Sequence, residues 1–216
     1  MLTRSIQFLI QSDFITQANR EDVFRSARNK ALLHGVALTF RDAVLGLCDH
    51  PKLRYKWMRY LPSLSITDEF WKSLGTDIID LLKDTPCLRT ESETSLYKPS
   101  ELFWLAYSGR DKHQDPLFND LPKEVYLSRN YTYRNFDSFL RRLGVCNMNY
   151  SVMMERIQYD LESSHSRMRY LHTDQDWHSR TANLLSSMLT RGVPRTVKAV
   201  KCLKLIPLQN SNWVSS

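Results

Sequence analysis

The side chains able to do chemistry are few and scattered. Asp174, Asp176 and His178 crowd around Trp177, and such residue types are the raw material of a metal site or an acid–base pair. Their spacing argues for something plainer. Asp176 and His178 stand two residues apart, which places them on different faces of a helix. Acids also gather at helix starts, where they cap free N–H groups and complement the helix dipole. Capping by solvated acids is therefore the favoured reading. His165 and His172 flank Ser166-Arg-Met-Arg, and no His or Cys pair has the spacing of zinc ligands. The four cysteines, Cys48, Cys87, Cys146 and Cys202, are widely separated and form no C-x-x-C. Buried free thiols of a cytosolic or nuclear protein are expected, not a disulfide framework. Cys146 or Cys202 would act as a nucleophile only beside a histidine brought from elsewhere in the chain. No catalytic residue and no metal ligand is assigned.

Glycine usage excludes more than any motif includes. The six glycines are Gly35, Gly46, Gly75, Gly109, Gly144 and Gly192, and the closest two lie eleven residues apart. G-x-G-x-x-G, G-x-x-x-x-G-K-[ST], G-x-S-x-G and D-x-G-x-G all need closely spaced glycines, so that backbone can approach a phosphate or turn sharply. P-loop enzymes, dinucleotide-binding folds, kinase-type loops and α/β-hydrolases are thereby set aside.

Basic residues offer binding chemistry instead. Arg195, Lys198, Lys201 and Lys204 recur every three residues, with no acid from Arg191 to Lys204. On a helix they form one face opposite Val197, Val200 and Leu203. That face suits phosphate or an acidic partner, although an ordinary solvated face has the same look. Lys52, Arg54, Lys56 and Arg59 alternate with Tyr55, Trp57 and Tyr60, the interleaving expected for stacking on single-stranded nucleic acid. Leu53, Trp57 and Tyr60 also fall on one helix side, so core packing explains them as well. The formal net charge of +7 is uneven, +1 over residues 1–108 and +6 over 109–216. An anionic partner would meet the second half.

The elements that must position these residues are mostly helical. Twenty-four aromatics and 42% hydrophobic residues can fill a sizeable core. No run of 18 apolar residues and no signal-peptide pattern occurs, so neither a membrane span nor secretion is expected. Residues 5–11 alternate as a short strand. Apolar spacing predicts helix from about Glu21 to Cys48, divided at Gly35 and closed by Pro51, with a further short helix over 52–60. Thr67 is the expected cap of a helix that buries Phe70, Trp71, Leu74, Ile78, Leu81 and Leu82 and ends before Pro86, with Ile66 stapled onto Trp71. Residues 87–120 are irregular. Short helices follow at 122–129, 134–143, 150–163, 173–190 (capped by Thr173) and 194–203. Residues 205–216 read as a strand, a polar turn and the start of a second strand. The expected class is mainly α with short β-strands at both ends (α+β), an irregular multi-helix array.

One segment is distinctive. Phe8-Leu-Ile-Gln-Ser-Asp-Phe-Ile-Thr-Gln-Ala-Asn-Arg-Glu-Asp-Val resembles the stretch after the nucleotide-binding core of sacsin-like and NO VEIN-like proteins, in which "F-x-I-Q-A-D-F" leads to an Arg-Glu pair, here Arg20-Glu21. Arg28-Asn29-Lys30-Ala-Leu-Leu is similar to the family's "W-N-x-x-L-L", without its aromatic. Leu53-Arg-Tyr-Lys-Trp-Met-Arg-Tyr-Leu-Pro, Glu124-Val-Tyr-Leu-Ser and Asp174-Gln-Asp-Trp-His-Ser-Arg also match. Ile206-Pro-Leu-Gln-Asn-Ser-Asn-Trp-Val resembles "I-P-L-x-D-G-x-W", with Asn-Ser in place of Asp-Gly.

These are large proteins with a GHKL-type, heat-shock-chaperone-like ATP-binding domain. The resemblance implies a parent that binds ATP upstream of this region, and a chain that holds no cofactor itself. Arg20 is the residue whose motif position would let it reach the γ-phosphate in such a parent; the plainer reading is a salt-bridged helix-entry residue. The implied organisation is 1–20 as the terminal strand and loop of a preceding ATPase-type domain, 21–86 helical, 87–120 an irregular connector, 121–204 helical, and 205–216 an incomplete hairpin. The expected function is that of a non-catalytic connector and interaction region, cut from a larger intracellular protein. Its partners would be proteins or the rest of the chain, and no membrane. The alternative is a free-standing basic module that binds nucleic acid.

Overall fold

The computed structural model describes residues 6–18, 22–63, 65–91, 95–121, 124–131, 136–169, 174–207 and 213–215. The chain forms two compact units, Met1–Leu102 with Leu127–Val145, and Phe103–Tyr126 with Cys146–Ser216. The class is the expected one. Six α-helices carry the described residues, and every strand is two or three residues long.

The first unit is built on α1 (Ala27–Asp49) and α2 (Glu69–Lys83). Ser26 caps α1 by accepting from Asn29 N–H, and Leu33, Ala37, Phe40, Val44 and Cys48 form its buried stripe. α2 lays Phe70, Trp71, Leu74, Ile78, Ile79 and Leu82 against the same core, and α1 and α2 pack together. Trp57 and Met58 are wholly buried beneath a 3-10 turn, Trp57–Tyr60. β1 (Leu88–Arg89) pairs antiparallel with β2 (Leu96–Tyr97), Leu88 opposite Tyr97. α3 (Asp137–Leu143) ends on Gly144, whose φ of 97° is the left-handed conformation that a helix C-cap uses and that glycine adopts without a Cβ clash.

The second unit closes a three-stranded sheet in the order β4–β3–β5. Its strands are β3 (Leu102–Trp104), β4 (Val125–Tyr126) and β5 (Cys146–Asn147), and β3 runs parallel to β5 with Phe103 opposite Cys146. Helices α4 (Tyr150–Glu162), α5 (Gln175–Arg191) and α6 (Pro194–Lys201) surround a core of Leu117, Phe118, Tyr126, Ile157, Trp177 and Met188. Trp177 is held by Nε1–H donating to Leu117 O at 3.1 Å and by the Arg167 guanidinium 4.9 Å from its ring. β6 (Ile206–Pro207) and β7 (Trp213–Val214) pair antiparallel.

Several elements differ from the sequence expectation. α1 is continuous through Gly35, because a single glycine weakens a helix by only about 1 kcal/mol. The 52–60 segment is a set of turns ending in a 3-10 turn, not an α-helix. The cap of α2 is Asp68, one residue beyond Thr67; its carboxylate accepts from Phe70 N–H at 2.9 Å and Trp71 N–H at 3.1 Å. With Asp68 as cap, the staple positions fall on Thr67 and Lys72, so Ile66 and Trp71 no longer occupy them. Helix 122–129 does not form: Val125 and Tyr126 join the sheet, and Arg129–Tyr131 is a 3-10 turn. Among the described residues, 6–11 have no ladder, and the first pairing is the Thr16–Val23 bridge. Thr173 and the first residues of helix 134–143 lie outside the described residues, and α5 is capped by Asp174.

Candidate interaction surface

The predicted chemical residues are engaged locally. Asp174 accepts from Asp176 N–H at 3.0 Å and from the Lys112 ammonium, which holds its carboxyl below the usual range. Asp176 takes Arg180 Nε–H at 2.8 Å, and the ring of His178 packs edge-on against Trp177. This is the helix-start arrangement that the spacing favoured. His165 Nδ1 lies 2.9 Å from Ser164 Oγ. His172 and Arg20 lie outside the described residues. Cys48 and Cys87 are buried free thiols, Cys146 is half-buried and Cys202 exposed. Burial pushes the Cys48 thiol up to about 12, and Cys87 is raised further for the same reason. Of the 52–60 aromatics, Trp57 is wholly buried in the core, Tyr55 is half-buried and edge-on to Tyr131 at 5.1 Å, and Tyr60 is half-buried. Arg195, Lys198, Lys201 and Lys204 are all exposed, opposite buried Thr196, Val200 and Leu203.

The surface with the clearest shape lies in the first unit, and it begins at Asn29. This residue is wholly buried in the first turn of α1. Its amide donates to Ile15 O at 2.7 Å and Phe24 O at 2.6 Å, and its Oδ1 accepts from Ile15 N–H at 2.9 Å. Phe24 N–H donates to Ile15 O at 2.8 Å, and Gln17 N–H to Asp22 O at 2.9 Å. One side chain thus satisfies three backbone groups and ties both arms of the 15–24 loop to the helix start. This is a physical reason for asparagine in Arg28-Asn29-Lys30-Ala-Leu-Leu.

Ahead of the clamp, Phe14 packs edge-on against Phe70 and Trp71, with centroids 6.1 and 5.9 Å apart. Phe8 meets Phe40 of α1 at 4.9 Å. Ile6, Phe8 and Ile10 are half-buried, while Gln7, Leu9 and Gln11 face outward. The predicted period of two is therefore present, without a partner strand among the described residues. No backbone hydrogen bond joins residues 6–11 to any described residue.

Beside this segment runs an apolar groove of about 710 Å³. Phe8, Leu9 and Ile10 form one wall, and Leu32, Val36, Ala43 and Leu47 of α1 the other. A polar depression of about 460 Å³, lined by Gln11, Ser12, Asp13, Arg28 and Leu32, shares three residues with it. Leu9 is 91% exposed, and Phe24 (55%) and Ile15 (46%) are exposed apolar side chains of the clamped loop. By length and composition α1 could cross a bilayer, and only 28% of its most apolar window is buried. An Arg41–Asp42 pair sits within the helix. The sequence signal for the groove was available: Leu32, Val36, Ala43 and Leu47 are a second apolar stripe, about 100° around α1 from the buried one.

No known family model matches the chain, and no solved structure matches it. It is similar to Protein NO VEIN of Arabidopsis thaliana, 31% identical over 105 residues, which are 45% of this chain and 4% of that protein.

Proposed function

We propose that this chain is a non-catalytic helical connector of a longer, NO VEIN-like polypeptide, and that the α1 groove is where another part of that polypeptide packs. The observation that carries the reading is the groove itself. Surface helices of self-sufficient domains turn a polar face outward, and large contiguous apolar patches mark interaction sites. Here α1 offers a second apolar stripe, flanked by residues 6–11, which make no backbone hydrogen bond to any described residue. The similarity to 4% of a very long protein supports a place among many neighbouring segments. In the same reading, ATP belongs to a preceding GHKL-type domain, the pure chain turns over no nucleotide, and any chaperone-like action belongs to the whole polypeptide.

The test places a photo-crosslinking amino acid at Ala43, an exposed position of the groove wall, in the polypeptide as it is expressed in its own cells. The expected product is a cross-link to another segment of the same polypeptide, mapped by mass spectrometry. Cross-links to lipid, or none above those from an equivalent probe at exposed Lys72, would overturn the reading. So would ATP turnover by the purified chain.

A further inference from the structure

The second unit carries a charged surface that the groove does not explain. Arg191 ends α5, and Arg195, Lys198, Lys201 and Lys204 follow along and beyond α6. All five are exposed, and no acid occurs among residues 191–204. Arg191, Arg195, Lys198 and Lys204 form no ion pair with a described residue. On α6 the cations lie opposite Thr196, Val200 and Leu203, which are buried. The face is therefore fixed in orientation by the core beneath it, and its cations outnumber the one acid, Glu155, that lines the depression beside it. Beside it, between α4 and α6, lies a depression of about 200 Å³ lined by Ser151, Met154, Glu155, Gln158, Arg195, Thr196 and Ala199. Met154 and Ala199 supply its apolar lining, beside Ser151, Gln158, Thr196 and the single acid Glu155. Val193 (64% exposed) and Leu189 (41%) add apolar surface at the α5–α6 turn.

We infer that this face docks an acidic protein segment, with one apolar side chain of that segment seated in the depression. Three features select a protein over a nucleic acid. The cations recur every three residues, a rise of about 4.5 Å, close to the 5–6 Å between neighbouring side chains on one face of a partner helix. No aromatic occurs among residues 191–204, so bases have nothing to stack on. A depression with Met154 and Ala199 in its lining, at the edge of a charged stripe, suits one anchor side chain, the arrangement that concentrates binding energy at protein interfaces.

The experiment measures fluorescence anisotropy of a helical peptide of about 16 residues, four turns or more, carrying Glu every third or fourth position around one central Leu. The comparison probes are the same peptide with Ser for Leu and single-stranded oligothymidine of similar length. The full chain is used throughout. Expected results are salt-sensitive binding of the Leu peptide, weaker binding of the Ser peptide, and weaker binding still of the oligonucleotide. The double variant Lys198→Glu/Lys201→Glu should weaken the Leu peptide roughly tenfold or more. Arg141→Glu/Arg142→Glu, on exposed positions of α3, changes net charge equally and should leave it within about twofold. Tighter binding of the oligonucleotide would overturn the inference in favour of nucleic acid. Equal loss in both double variants would reduce it to net charge, and no binding at low ionic strength would end it. Both variants alter exposed side chains, and circular dichroism checks that each is folded.

Discussion

Asn29 illustrates how one side chain can define a loop. Its three hydrogen bonds engage Ile15 N–H, Ile15 C=O and Phe24 C=O, and the residue itself is wholly buried. Each bond contributes about 0.5–1.5 kcal/mol net, and a buried group left without a partner costs about 1–3 kcal/mol. Asn29→Ala should therefore destabilise the chain by roughly 2–4 kcal/mol, against a change near zero for exposed Lys30→Ala. Asn29→Asp should be no better, because it keeps the acceptor for Ile15 N–H but faces two carbonyl oxygens with a carboxylate. Urea unfolding of the three variants decides the matter. If both Asn29 substitutions fall within about 0.5 kcal/mol of the parent chain, the clamp is not what holds the loop. Composition and periodicity give no warning of this role, since an asparagine in the first turn of a helix ordinarily faces solvent.

At the scale of elements, start and stop signals were the legible part. Asp174 and Asn149 cap α5 and α4, and Pro194 opens α6 as its rigid φ requires. These elements lie within two residues of where the sequence placed them. The less legible elements were those decided by distant partners. Val125-Tyr126 is a short apolar run that could serve helix or strand, and the neighbouring β3 decides it. Residues 6–11 show the converse: the alternation is real, but alternation cannot supply a partner. The groove face of α1 has the same helical spacing as the buried stripe, one residue out of phase, so periodicity alone does not distinguish it from core. The α2 cap is a local question with a sharp answer. Thr67 and Asp68 are both good caps by type, and the hydrogen bonds choose Asp68, which also pairs with Arg25 at 3.1 Å. Asp68→Ala should cost about 1 kcal/mol and Thr67→Ala only a few tenths. Thermal unfolding of the two variants separates them, and a larger loss at Thr67 would return the cap to the position expected from sequence.

For the whole molecule, the buried acids of the first unit set its response to alkali. Cys48 is raised by burial from 9.0 to about 12, partly offset by Arg89, whose Nη2 donates to Cys48 O at 3.0 Å. Burial raises Cys87 and Tyr131 as well, and Tyr131 OH accepts from Arg89 N–H at 3.3 Å. In each case the folded state holds its proton more tightly than the unfolded chain. Below pH 9 both states keep the thiol protonated, so Cys48 gives stability no pH dependence. Between pH 9 and about 12 the unfolded chain releases the proton and the folded chain does not, so stability must fall with rising pH. General charge repulsion does not account for the onset, because the sequence pI is about 9.3 and net charge is then near zero. Chemical denaturation from pH 8 to 11 should show this decline under reducing conditions. Cys48→Ala should make it shallower while lowering stability at neutral pH through lost packing. An unchanged slope in that variant would assign the alkaline response to Cys87 and Tyr131 or to groups outside this core. The same burial should leave Cys48 and Cys87 unreactive toward alkylating reagents in the folded chain at neutral pH, while exposed Cys202 reacts. Rapid modification of all the thiols at once would mean that the first unit opens globally on that timescale, and its core would then be too loose to fix the groove.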